Sequence, residues 1–155
     1  MSDTFQVDAT ELTRWGRKAA TQWAAIARDE YGRGLQRAGH RVRNAGNRRI
    51  NRWHGELQGT STVTTTASGE TYTTVVAWPA KHARWVDQGR GPIEAAPGRM
   101  LRFETRTGEV IYRKRVGPAR AQRFSTLGLA EAKPGIRQEL DEATRRAIRR
   151  FEALG

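Results

Sequence analysis

The apolar residues in the first third of the chain recur at steps of three and four positions, and this period constrains the fold more than any other feature. The first series is Leu12, Trp15, Ala19, Trp23 and Ile26. A second series occupies residues 31–57, with a slip of one residue near position 50 and four glycines that weaken the helix between positions 32 and 46. Because such steps place residues on one helical face, the sequence predicts two N-terminal helices, the second of them long.

After residue 59 the helical period gives way to segments rich in threonine and valine. Residues 61–66 and 71–78 flank one short turn, and residues 101–106 and 109–115 flank a second turn at a Thr-Gly pair. β-Branched runs joined by short glycine-containing turns predict two antiparallel hairpins.

Two prolines mark the expected starts of further helices. Proline is tolerated at a first helical position, so Pro79 is expected to open a short helix and Pro134 the C-terminal helix. Between the short helix and the second hairpin, residues 87–98 hold three glycines and two prolines and are expected to form a shaped loop.

This order of helices and antiparallel strands predicts an α+β fold. It consists of N-terminal helices, an antiparallel sheet from two hairpins with a short intervening helix, and a C-terminal helix. A chain of 155 residues is expected to form a single domain over residues 1–155, with residues 1–10 flexible or ordered by a partner. No secretory signal and no membrane partner are expected, and the absence of cysteine excludes disulfides and thiolate metal sites.

Positive charge is the strongest compositional signal. The 28 basic and 16 acidic residues give a net charge of +12, and 24 of the basic residues are arginine. Such an excess predicts a polyanionic neighbour. It does not separate DNA from an acidic protein surface, because both attract the same field and the same bidentate arginine contacts.

The three histidines invite an enzyme hypothesis that their spacing does not support. His40, His54 and His82 are 14 and 28 residues apart, outside metal-ligand spacings, and no carboxylate beside them forms a recognisable general-base arrangement. We therefore predict no catalytic, cofactor-binding or metal-binding residue and no cofactor. A small basic nuclease or toxin acting on RNA is an alternative that only charge, size and these histidines support.

The middle of the chain resembles tail-completion proteins of long-tailed phages. In that family an apolar strand leads into a Tyr-Ala-x-x-Val-Glu-x-Gly-Thr segment, and residues 82–90, HARWVDQGR, match it in order with His, Asp and Arg as replacements. The continuation is also similar, with a proline-rich loop, a glycine-containing turn, and then a glycine and a phenylalanine leading into a C-terminal helix. Gly117 and Phe124 take those last two places, and the similarity spans residues 72–130.

The resemblance implies a structural virion protein without catalysis. It would be a tail-completion or neck subunit at the head-tail junction, assembled in the host cytoplasm and then part of the virion. Its partners would be copies of itself in a ring, six by default, and the adjacent phage connector and tail-tube proteins. Whether the ring lies on the connector side or the tail side stays open.

A ring requires each subunit to present two different patches, and tryptophan and arginine are enriched at the centres of interfaces. We expect Val86 in the core, whereas Trp85 fits an interface or the core equally. The loop glycines and prolines fit an assembly role better than an ordinary surface connection. The residues expected at a subunit interface or in its loop are Trp85, Gly89, Arg90, Gly91, Pro92, Pro97, Phe103, Gly117 and Phe124.

The second predicted helix carries eight arginines between positions 28 and 52, with three carboxylates beside them in sequence. Docking on an acidic protein ring ranks first for this face, a solvated surface second and a passing contact with phage DNA third, because a conduit that held DNA tightly would obstruct ejection. A small basic DNA-binding protein is the alternative function. The predicted basic face comprises Arg33, Arg37, Arg41, Arg48 and Arg52.

Overall fold

The computed structural model describes residues 9–50, 55–69, 71–105 and 107–154. The predictions for Arg52, for His54 and for most of residues 1–10 lie outside these ranges. The α+β class is confirmed, with helices at both ends and hairpins between them. The elements are α1 (Ala9–Arg49), α2 (Gly55–Gly59), β1 (Thr62–Ser68), β2 (Thr71–Ala77), α3 (Ala83–Gln88), β3 (Ile93–Glu94), β4 (Leu101–Glu104), β5 (Val110–Arg113), β6 (Arg115–Val116) and α4 (Phe124–Glu152).

The boundary predicted between two N-terminal helices is wrong, because α1 continues through it to Arg49. Its buried face runs on from Ile26 through Glu30 and Gly34 to Ala38 at steps of four. A search for apolar residues overlooked this continuity, since two of the four positions are a carboxylate and a glycine. Leu57, which the sequence analysis placed on the second helix, lies on the separate helix α2.

Both predicted hairpins are present, as the pairs β1–β2 and β4–β5. In the second pair Arg102 lies opposite Tyr112 and Phe103 lies opposite Ile111. The predicted loop over residues 87–98 is less irregular than expected. It contains β3, which pairs with β6 at the register of Ile93 with Val116.

Both helix starts assigned to prolines are wrong. α3 begins at Ala83, four residues after Pro79, and α4 begins at Phe124, so that Pro134 lies inside it. A proline within a helix costs about 3 kcal/mol because it removes one hydrogen bond and crowds the preceding turn. Burial on both sides of Pro134 offsets that cost, since Phe124 and Ala132 before it and Ala143 after it are all buried.

The chain forms two compact units. Unit 1 comprises Met1–Arg41, Val63–Val75 and Ala132–Gly155, and unit 2 comprises Val42–Thr62 and Val76–Glu131. A single domain over residues 1–155 stays a prediction. Among the described residues, no helix is both long enough and apolar enough to cross a membrane.

In unit 1 the long helices approach closely because the residues between them are small. A Cβ added at Gly34 would lie 2.9 Å from the Cβ of Ala143, and Ala147 is fully buried one turn further along α4. Trp23 closes one end of this contact by packing edge-to-face on Phe151, with ring centroids 5.5 Å apart.

Unit 2 contains the larger apolar cluster. Its buried residues are Ile50, Leu57, Ala83, Val86 and Phe124, with Trp78 and Ala80 packed against them. The indole of Trp78 meets the ring of Phe124 edge-to-face at 5.0 Å and donates a hydrogen bond of 2.8 Å to Asn47 Oδ1. The expectation that Val86 is a core residue is therefore confirmed.

Candidate subunit interface

The segment over residues 82–90 fastens α3 to the start of α4. The Asp87 carboxylate accepts hydrogen bonds from the backbone nitrogen of Ser125 at 3.0 Å and from its hydroxyl at 2.5 Å. Behind it, the carbonyls of Val86 and Asp87 accept from the backbone nitrogens of Gln122 and Arg123, each at 2.9 Å. A carboxylate at this place accepts hydrogen bonds from N–H groups that have no partner within the helix, and its negative charge interacts favourably with the positive end of the helix dipole.

Gly89 is the one position in this segment that only glycine can fill. Its φ is +78°, and a Cβ built on it would lie 2.8 Å from the carbonyl oxygen of Ala119 and 2.9 Å from the nitrogen of Ala121. The close approach exists because Arg90 and Ala119 exchange two backbone hydrogen bonds of 3.0 Å. The Val-Asp-x-Gly part of the segment thus has a structural explanation, and Asp87 is a residue that the sequence analysis matched without assigning it a role.

Three residues predicted for the interface, Trp85, Arg90 and Phe103, meet around one open concavity of about 750 Å³ in unit 2. Trp85 is 54% exposed, more than Trp23 at 37%, whereas Trp78 packs against the core. We call this concavity the tryptophan groove. It is lined by Glu56, His82, Trp85, Val86, Arg90, Phe103, Glu104, Ala119, Arg120 and Gln122.

The other predicted interface residues do not join the tryptophan groove. Phe124 is 2% exposed and belongs to the core of unit 2, so it offers no surface to a partner. The carbonyl of Gly117 accepts a hydrogen bond of 3.4 Å from Arg90 Nη1, and nothing lies within 4 Å of where a Cβ would stand at Gly117 or Gly91. Four of these residues are exposed in the connecting segments, namely Gly91, Pro92, Pro97 and Gly117.

The arginines of the predicted basic face on α1 pair with carboxylates of the same chain. Glu139, a buried residue of α4, accepts hydrogen bonds from Arg37 at 2.9 Å and from Arg41 at 2.8 Å. Burial acts to raise the pKa of Glu139, but the two arginines together outweigh burial and hold that pKa below its ordinary value. Arg37 and Arg41 are therefore already paired with a carboxylate.

A second buried carboxylate, Glu30, lies on α1, and here the arginines that pair with it come from α4. Arg150 and Arg146 donate to it at 2.8 and 3.1 Å, and Arg150 also donates to Asp29 at 2.5 Å. The hydrogen bond from Arg150 is the largest cause that lowers the pKa of Glu30 and of Asp29. Arg33 pairs with Asp29 at 3.1 Å on the same helix.

The same arrangement recurs in unit 2. Glu131 of α4 pairs with Arg48 at 2.6 Å and with Arg49 at 2.9 Å. The hydrogen bond from Arg48 is the largest cause that lowers the pKa of Glu131. Each member of the predicted basic face that lies in the described ranges thus has a carboxylate partner. The sequence analysis missed Glu131 and Glu139 because they lie 82 to 102 positions away from their arginines.

The two histidines that the structure describes, His40 and His82, belong to different units. His40 lies on α1 and His82 beside the tryptophan groove, and in the described ranges no three residues of the metal-binding types could hold an ion. No protein-family model, curated protein or solved structure matches this chain.

Proposed function

We propose that this protein is a non-enzymatic structural subunit of a tailed-phage particle. It acts as a tail-completion or neck protein that closes into a ring with copies of itself at the head-tail junction. The observation that carries the proposal is the tryptophan groove, where Trp85, Arg90 and Phe103 come together at the surface of unit 2.

The chemistry of the groove suits a protein partner. Tryptophan and arginine are among the residues most enriched at the energetic centres of protein interfaces. Trp85 lies with Phe103 as apolar surface, and Arg90, Arg120 and Glu104 supply charge at the same concavity. A buried aromatic centre with a charged rim is the usual anatomy of a specific interface.

The fold around residues 82–90 supports the family resemblance on which the phage assignment rests. α4 starts at Phe124, where the resemblance places the entry into a C-terminal helix. Two of the matched positions lie beside that entry: Asp87 accepts hydrogen bonds from Ser125 in the first turn of α4, and Gly89 allows the close approach of Ala119 and Ala121 before it. Residues that carry the resemblance therefore also make the contacts that join α3 to the start of α4.

The direct test is the size and shape of the purified protein, measured by light scattering after gel filtration and by negative-stain imaging. We expect rings for the wild-type chain and a shift to monomers for Trp85→Ala, because truncating an interface centre commonly weakens association at least about tenfold. Leu154→Ala is the matched control, since Leu154 is 60% exposed and lies in unit 1. Wild-type protein that stays monomeric at its highest attainable concentration, or a Trp85→Ala variant that forms the same rings, would contradict the proposal.

A further inference from the structure

Part of the positive charge that no carboxylate neutralises lies on the β4–β5 hairpin and its flanks. Residues 99–115 contain six basic and two acidic residues. Among the described residues, Arg99, Arg102, Arg113 and Lys114 have no carboxylate within 4 Å, whereas Arg115 is paired with Glu94 at 3.3 Å. These four cations contrast with Arg37 and Arg41 of α1, which Glu139 holds.

The two faces of this hairpin differ. Leu101, Phe103 and Ile111 share one face and are half-buried, and Phe103 lines the tryptophan groove. Exposed Arg113 lies opposite Leu101 on that same face. The opposite face presents the cross-strand pair of Arg102 and Tyr112, and Tyr112 is 59% exposed. Cross-strand neighbours lie about 5 Å apart, so a guanidinium and a phenol stand side by side at the surface.

We propose that the β4–β5 hairpin, through Arg102, Tyr112 and Lys114, is a contact surface for the phosphate backbone of duplex DNA. Arginine, lysine and tyrosine all donate hydrogen bonds to phosphate oxygens, and such contacts bind without selecting a sequence. A two-stranded ribbon is also narrow enough to enter the major groove. Residues 99–115 contain no Asn or Gln, the side chains best suited to adenine, so the contact has no adenine preference.

Duplex DNA fits this face better than an acidic protein does. Protein interfaces need a desolvated apolar centre and are depleted in lysine. The outward face, with Arg102 and Tyr112 and with Lys114 following β5, offers two cations, one phenol and one carboxylate, Glu104, but little apolar area. The tryptophan groove has the opposite character, which separates a protein-binding surface from a polyanion-binding one.

The test is the binding of a fluorescently labelled duplex of random sequence, followed by anisotropy at several salt concentrations. Each phosphate contact contributes about −0.9 to the slope of log K against log salt. The variant R102A/K114A should bind at least about tenfold more weakly at low salt, with a slope shallower by about 1.8. The matched control is K133A/R137A, which removes the same charge from exposed positions of α4 and should change affinity by less than about threefold.

Three outcomes would overturn the proposal. One is a wild-type chain that does not bind the duplex, and another is equal weakening by the two double variants, which would mean that affinity follows net charge alone. The third is polyglutamate that competes as well as unlabelled DNA at equal charge, which would assign the hairpin to an acidic protein. Repeating the measurement with Trp85→Ala separates DNA binding from ring formation, because that variant alters the tryptophan groove and leaves the basic residues of the hairpin in place.

Discussion

The long helix α1 and the β4–β5 hairpin look alike in sequence, since both are rich in arginine, yet they carry their charge differently. On α1, Arg37 and Arg41 are held by a buried carboxylate from α4. On the hairpin and its flanks, only Arg115 has a carboxylate partner among the described residues, and both members of that pair are about two-thirds exposed. The density of basic residues along a sequence therefore does not give the charge of the folded surface.

The difference follows from the length of each element and from the element that packs beside it. Helix α4 runs beside α1 within each unit, so acidic residues eight positions apart, Glu131 and Glu139, can meet successive pairs of arginines. The hairpin strands have four residues each and pair mainly with each other. Only a long packed partner can supply carboxylates at regular intervals.

The largest expected effect comes from separating the two helices in unit 2. A Cβ at Gly128 would lie 2.6 Å from the backbone nitrogen of Gly46, and backbone atoms cannot move aside as a flexible side chain does. We expect Gly128→Val to lower the free energy of unfolding by about 3 kcal/mol or more, measured by urea denaturation. Gly16→Val is the control, because nothing lies within 4 Å of the Cβ position there. Equal losses in both variants would mean that valine itself, and not the helix contact, destabilises the chain.

The next effect should come from removing one buried carboxylate. Glu139→Gln leaves Arg37 and Arg41 without their charged partner, and we expect a loss of about 2 kcal/mol in the free energy of unfolding. Glu142→Gln is the control, since its pair with Arg146 is longer, at 3.5 Å, and more exposed. The released arginines should also retain the Glu139→Gln variant longer on a heparin column. Unchanged retention would argue that α1 carries no latent polyanion-binding face.

A smaller effect should appear as a dependence of stability on pH. The pKa values of Glu30 and Glu139 are lowered in the folded state, so the folded chain binds fewer protons than the unfolded chain at acidic pH. The stabilisation is fully present above the ordinary glutamate pKa of about 4.3 and is lost as the pH falls through the lowered values. Urea unfolding at pH 7 and pH 3.5 should differ by about 1 kcal/mol more in the wild-type chain than in Glu30→Gln/Glu139→Gln. A double variant with the same pH dependence as the wild type would show that other groups cause it.

The smallest expected effect is on the hairpin side of the comparison. Arg115→Ala removes the exposed pair with Glu94 and should change the free energy of unfolding by less than about 0.5 kcal/mol. A loss near that of Glu139→Gln, measured in the same urea experiment, would erase the distinction between the two basic regions.

Much of the fold could be predicted from local patterns. Threonine- and valine-rich runs around short turns located both hairpins, since Gly69 and Gly108 in those turns have φ values of +59° and +81° that favour glycine. The helix boundaries could not be predicted in the same way. Pro134 marks a helix start by local rules, but burial of Phe124 and Ala132 extends α4 ten residues before it.

The candidate site also has one part that the sequence predicted and one part that it did not. Trp85, Arg90 and Phe103 were selected from sequence, and the chain brings them to one groove because β4 and α3 both border it. The partners of Arg37, Arg41 and Arg48 could not be selected, since nothing in the neighbouring sequence points to Glu131 or Glu139.

The sequence by itself determined the α+β class, the two hairpins and the excess of positive charge, because each of these depends on residues close together in the chain. Only the tertiary structure decided where that charge is neutralised. An ion pair forms between residues that are near in space, and the packing of α4 on α1 within each unit brings together groups that the sequence separates by up to 121 positions.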